Sequence, residues 1–120
     1  MSAAAHVFLV AGEESGDRLG AALIGALKEA TQGQVRISGV GGPHMAEMGV
    51  VSPFPLGDLA IMGFAAIPVR LPLILRRIRE AADAVIAARP DVLVIIDSPE
   101  FTHRVAKRVR ARAPSIPIVD

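Results

Sequence analysis

The run Val92-Leu93-Val94-Ile95-Ile96 narrows the possible folds more than any other stretch of this chain. It is unbroken aliphatic sequence closed by Asp97, with no polar side to turn toward water. A strand of this kind is covered on both faces, as in a parallel sheet flanked by helices. His6-Val7-Phe8-Leu9-Val10-Ala11, Val35–Val40 and Ile116–Val119 read as strands for the same reason, and Val50–Phe54 reads as a short strand bounded by prolines. Between them, apolar residues recur at helical spacing. Leu19, Leu23, Ala26, Leu27 and Ala30 predict a helix over 17–30, capped by Ser15 or Asp17 and left near Gly33. Leu71, Ile74, Leu75, Ile78, Ala82, Val85 and Ile86 predict a second helix, ended by Pro90. Phe101, Val105 and Val109 stripe a third, stopped at Pro114. Pro43 suits the first turn of a short helix that exits at Gly49. Strand and helix alternate, so the expected fold is α/β: a doubly wound, mainly parallel, Rossmann-like sheet forming one domain over 1–120. A final strand with no helix after it suggests that sequence is missing.

Composition excludes several functions. There is no Cys, hence no disulfide, thiolate metal site or Cys nucleophile, which fits a reducing compartment. Aromatics are 3% with no Trp or Tyr, which argues against single-stranded nucleic acid as a partner. Residues 1–11 lack a cationic start, and Gly12-Glu13-Glu14 cuts the apolar run short, so no signal peptide is read. The apolar stretch Leu59–Leu75 contains Arg70, Pro68, Pro72 and Gly63, which argues against a membrane span. Net charge is +1, but residues 70–112 carry ten Lys/Arg against five acids. A basic second half suits an anionic partner such as phosphate or a lipid surface, or simply solvates two helix faces.

In open α/β sheets, ligands sit beyond the carboxyl ends of the strands. Three segments fall there. Gly12-Glu13-Glu14-Ser15-Gly16-Asp17 has neither the Gly-Lys-Ser/Thr of a phosphate loop nor the Gly-x-Gly-x-x-Gly of a dinucleotide fold. Its acids repel phosphate but accept hydrogen bonds from sugar hydroxyls; a capped tight turn explains it equally. Gly39-Val40-Gly41-Gly42-Pro43 lacks the acid that would hold a nicotinamide ribose, and reads otherwise as a turn. Asp97-Ser98-Pro99-Glu100-Phe101 sets a carboxylate directly after a buried strand, where a general base or a helix cap belongs. Ser98 with His103 makes no persuasive nucleophile pair, and His6, His44 and His103 show no metal spacing. Further on, Leu73 lies off the apolar stripe, beside Arg70, Arg76, Arg77 and Arg79. This pattern suits a surface dipping into anionic lipid, or an ordinary core helix with a basic outer face.

Four segments in register resemble the lipid-A-disaccharide synthase family: Val10–Asp17, Gly39–Met45, Leu59–Gly63 and Ile96–Phe101. The resemblance implies the N-terminal half of a GT-B glycosyltransferase, working with inversion and without metal or cofactor. The family transfers diacylglucosamine from UDP-diacylglucosamine to lipid X, at the inner face of the cytoplasmic membrane. Carried over, Asp97 is the base. Gly12, Glu13, Ser15, Gly16, Asp17, Gly41, Gly42, Met62, Gly63, Ser98 and Phe101 line the substrate cleft. Phe64, Leu71, Leu73, Ile74, Leu75, Arg76 and Arg77 meet acyl chains or membrane. Thr102 departs from the Asn often found after the Phe. The family also continues into a second domain holding most of the UDP site, so this chain alone is expected to be inactive. The competing readings are a nucleotide-binding oxidoreductase or kinase-like domain, opposed by the missing motifs, and a freestanding binding or assembly module whose last strand pairs with a second copy as a homodimer.

Overall fold

The computed structural model describes residues 4–60 and 67–120. In chain order the elements are β1 (Ala5–Ala11), α1 (Glu14–Ala30), β2 (Val35–Val40), α2 (Pro43–Glu47), α3 (Gly57–Ala60), α4 (Ile67–Ala88), β3 (Val92–Ile96), α5 (Pro99–Arg112) and β4 (Ile118–Val119). Among the described residues the strands form one sheet of order β2-β1-β3-β4, every pair parallel.

The apolar strands are buried on both faces, as their unbroken runs require. On one face Val7, Leu9 and Ala11 pack with Ile24 of α1 and Met45 of α2. On the other, Phe8, Val10, Leu93 and Ile95 pack with Ile78, Ala82 and Val85 of α4 and Val105 and Val109 of α5. Helices on both faces make the sheet doubly wound. The chain leaves β1 toward β2 on one side and returns to β3 on the other, so the switch in strand order lies between β1 and β3. Ala11 is paired with Ile96 there, so both strands end at the same level.

Four local expectations are corrected. Helix α1 begins at Glu14 with Glu13 as its uncapped N-cap residue, so neither Ser15 nor Asp17 caps it. Val50–Phe54 forms no strand: Pro53 has no N–H for a ladder, Val50 N donates to Met45 O (3.2 Å), and the Ser52 hydroxyl donates to Phe54 O (2.8 Å). Strand β4 starts at Ile118, because Pro117 offers only its carbonyl, which accepts from Leu93 N at 2.9 Å. Leu19, Leu71 and Leu75, all expected on buried stripes, are 57%, 46% and 51% exposed.

Candidate functional site

The first two loops meet over the β1–β3 switch. A Cβ on Gly12 would lie 2.5 Å from Ser98 Cβ and 3.3 Å from Phe101, so only glycine lets the loop after β1 pass that close. Gly16 performs the same service one turn on, since its Cβ would stand 3.0 Å from the Ile96 carbonyl oxygen. The approach has a polar result. Ser15 Oγ lies 3.0 Å from Asp97 Oδ2 and 2.9 Å from Glu13 Oε1, and all three side chains belong to exposed residues. Among the described residues Asp97 Oδ1 takes no hydrogen bond.

The turn carrying Asp97 is strained. Asp97 (φ 55°) and Ser98 (φ 47°) are consecutive non-glycine residues in the left-handed region. Such residues cost on the order of 1–3 kcal/mol each and persist only where neighbours over-determine them. Here the hydroxyl of Thr102, 1% exposed, lies within hydrogen-bond distance of Asp97 O (2.8 Å) and Ser98 O (3.1 Å) and donates to one or the other. Phe101 N and Thr102 N both donate to Ser98 O at 2.9 Å, starting α5 with Pro99 in its first turn. The backbone is thereby held while the Asp97 carboxylate faces outward.

The remaining expected residues divide. Asp17 is 0% exposed and does not face the cleft. Its Oδ1 accepts from Gly42 N and Met45 N, and its Oδ2 from His44 N, each at 2.9 Å. It thus caps α2 and ties the β2 loop to α1. Gly42 is required beside it, as a Cβ would stand 2.8 Å from Asp17 Oδ2. Gly41 N donates to the Ser52 hydroxyl at 3.3 Å. Phe101 is buried, edge-on to Phe54 at 6.3 Å, and serves the core rather than an open surface. Met62, Gly63 and Phe64 lie outside the described residues. A groove of about 480 Å³ beside the end of β2 is lined by Gly41, Gly42, Val50, Phe54 and Leu56 among others. A hollow of about 530 Å³ between α5 and β4, lined by His103, Lys107 and Arg110, includes neither Ser15 nor Asp97.

In a parallel crossover the connecting helix runs against the strands, so the first turns of α4 lie at the sheet's carboxyl end, with Asp97. Leu71, Leu75 and Arg76 are exposed there, and Leu73 and Ile74 are half-buried. Arg77 folds back over the Phe54 ring (5.3 Å) and pairs with Glu80 (2.7 Å). Among the described residues no helix is long and apolar enough to cross a membrane, and no group of three or more His, Cys, Asp or Glu side chains is arranged to hold a metal ion.

The profile of the lipid-A-disaccharide synthetase family matches residues 7–120. The chain belongs to this family. It is 65% identical over 115 residues to the lipid-A-disaccharide synthase of Nitrobacter hamburgensis, which is 96% of this chain and 29% of that protein. Against the enzyme of Rhodopseudomonas palustris it is 62% identical over 114 residues (95% of the chain, 29% of the relative), and against that of Rhodospirillum centenum 47% over 113 (94% and 28%). The chain therefore spans somewhat under a third of the length of these curated relatives.

Within this member of the lipid-A-disaccharide synthetase family, Thr102 is the site residue that sequence reasoning assigned least well. The sequence marked it only as a departure from the Asn often found after the Phe; it is buried and ties down the Asp97 turn. The available signal was a small β-branched hydroxyl residue in the first turn of a helix, four and five residues after two carbonyls it can reach.

Proposed function

We propose that this chain is the acceptor-side domain of an inverting, UDP-sugar-dependent glycosyltransferase of lipid A biosynthesis, with Asp97 as its general base. The observation that carries the reading is the Asp97 carboxylate at the switch point, held through one oxygen and open through the other. In the reaction an acceptor hydroxyl on lipid X gives its proton to Asp97 Oδ1. The freed oxygen forms a bond to the anomeric carbon of UDP-diacylglucosamine from the face opposite the nucleotide. The bond from that carbon to the diphosphate oxygen breaks, and its electron pair leaves with UDP. One base suffices for a direct displacement, and Glu13 is a ready acceptor for a neighbouring sugar hydroxyl. The UDP site belongs to the second domain implied by the family resemblance. The exposed Leu71, Leu75 and Arg76 support a peripheral seat on the anionic inner face of the cytoplasmic membrane, from which a diacylated acceptor reaches Asp97 without leaving the lipid.

The test is Asp97→Asn in the full-length enzyme. Loss of a general base predicts turnover lower by about 10²–10⁴-fold with the fold retained by circular dichroism. A rate near that of the wild type ends the assignment.

A further inference from the structure

We infer that Ser15 is a positioning residue for Asp97, not a ligand of the sugar. The inference rests on Asp97 being the base. Ser15 Oγ carries a single hydrogen but stands within hydrogen-bond distance of two carboxylate oxygens, Asp97 Oδ2 at 3.0 Å and Glu13 Oε1 at 2.9 Å. It donates to one of them at a time. It is also the one side chain, among the described residues, that bonds the Asp97 carboxylate. The Asp97 main chain is fixed by Thr102, but among the described residues only Ser15 holds its side chain by a hydrogen bond.

Ser15 is well placed to impose that restraint. It sits in the first turn of α1, followed by Gly16, packed against the Ile96 carbonyl, and by Asp17, buried as the cap of α2. Its position is therefore set by the flanking contacts to β3 and to α2. Holding Oδ2 directs Oδ1 toward the acceptor, so the oxygen that receives the proton is pre-aligned. The shared hydrogen adds a coupling. When a sugar hydroxyl donates to Glu13, that carboxylate no longer needs the Ser15 hydrogen, which then goes wholly to Asp97. Occupancy of the cleft thereby aligns the base. The step itself is unchanged: the acceptor proton passes to Oδ1 as the new glycosidic bond forms and the bond to diphosphate breaks.

The experiment compares Ser15→Ala, Ser15→Thr, Asp97→Asn and the Ser15→Ala/Asp97→Asn double variant in the full-length enzyme by steady-state kinetics. A positioning role predicts that Ser15→Ala lowers kcat about tenfold or more with KM within about twofold. Ser15→Thr, which keeps the hydroxyl, restores kcat to within about threefold, and the double variant is no slower than Asp97→Asn alone. A rise in KM at unchanged kcat makes Ser15 a substrate ligand and overturns the inference. Unchanged kinetics for Ser15→Ala, or a folded Ser15→Thr as slow as Ser15→Ala, also overturns it. Those results leave the base assignment standing if Asp97→Asn is inactive; turnover by Asp97→Asn removes the base assignment itself.

Discussion

A single carboxylate, Asp17, links two of the loops at the sheet's carboxyl end. Three backbone N–H groups converge on it, two on Oδ1 and one on Oδ2, in a fully buried setting. Removing an acceptor from buried donors costs about 1–3 kcal/mol for each group stranded. Asp17→Asn separates the three bonds. With its amide oxygen in the Oδ1 position, asparagine still accepts from Gly42 and Met45, but its NH₂ faces the His44 N–H, donor against donor. Hydrogen exchange at the His44 amide should accelerate far more than at Gly42 or Met45 in Asp17→Asn, and at all three in Asp17→Ala. Equal protection in wild type and Asp17→Ala would show that α2 is held otherwise. The spacing made Asp17 a candidate cap of its own helix; its actual partners lie 25 to 28 residues away, at the start of α2. Glu13, Ser15 and Asp97 were each legible as polar residues at strand ends, yet the contact between Ser15 and Asp97 spans 82 residues and follows only from the parallel pairing of β1 with β3.

At the scale of elements, β1, β2 and β3 were legible because an apolar run needs no context to be a buried strand. The helices were legible as helices, and so were the buried stripe Phe101, Val105 and Val109 of α5 and the Ile78, Ala82 and Val85 part of the α4 stripe, but Leu19 in α1 and Leu71 and Leu75 in α4 were misplaced. In α1 the face toward the sheet carries Gly16, Asp17, Gly20 and Ile24, while Leu19 turns outward. A Cβ on Gly20 would stand 2.7 Å from Met45 Sδ, so close approach, which hydropathy does not register, selects that face. In α4 the reason is length. Its 22 residues span about 33 Å, whereas the five residues of β3 span about 17 Å. The helix overruns the sheet at its N-terminal end, and Leu71 and Leu75 extend the apolar stripe past anything that covers them among the described residues. If these turns enter lipid, Leu71→Ser with Leu75→Ser should weaken binding of the full-length enzyme to phosphatidylglycerol vesicles about tenfold or more. Arg76→Glu should weaken binding to those vesicles while leaving binding to phosphatidylcholine alone unaltered. Vesicle binding that survives the double serine change would remove the membrane-docking proposal.

At the scale of the whole molecule, the sheet has two ends with different work. The consecutive left-handed pair Asp97-Ser98 and the exposed Glu13 and Asp97 carboxylates lie at the carboxyl end, whereas the amino end anchors the central strand. His6, in β1, is 6% exposed; its Nε2 lies 2.8 Å from Ser38 Oγ of β2, and its backbone N donates to Asp91 Oδ2 at 2.7 Å just before β3. It thus ties β1 to both neighbours. Burial, reinforced by the Arg36 guanidinium, pushes the imidazole below its ordinary value, and the weaker pull of Asp91 in the other direction does not cancel this. In the unfolded chain histidine takes up its proton near pH 6.5, while the native state resists doing so. Below that pH the unfolded state binds more protons, so stability falls as pH drops through about 6.5 and continues to fall until the native imidazole titrates as well. Above that window His6 contributes no pH dependence. His6→Gln keeps a neutral hydrogen-bonding group toward Ser38 but cannot titrate. Denaturant unfolding measured from pH 5 to pH 8 should therefore show a steeper acid loss in the wild type than in His6→Gln, with the curves parallel above about pH 7. Curves that stay parallel through the acid range would mean that His6 protonates as readily in the folded protein as in the unfolded chain, and that the amino end of the sheet is more open to water than its packing indicates.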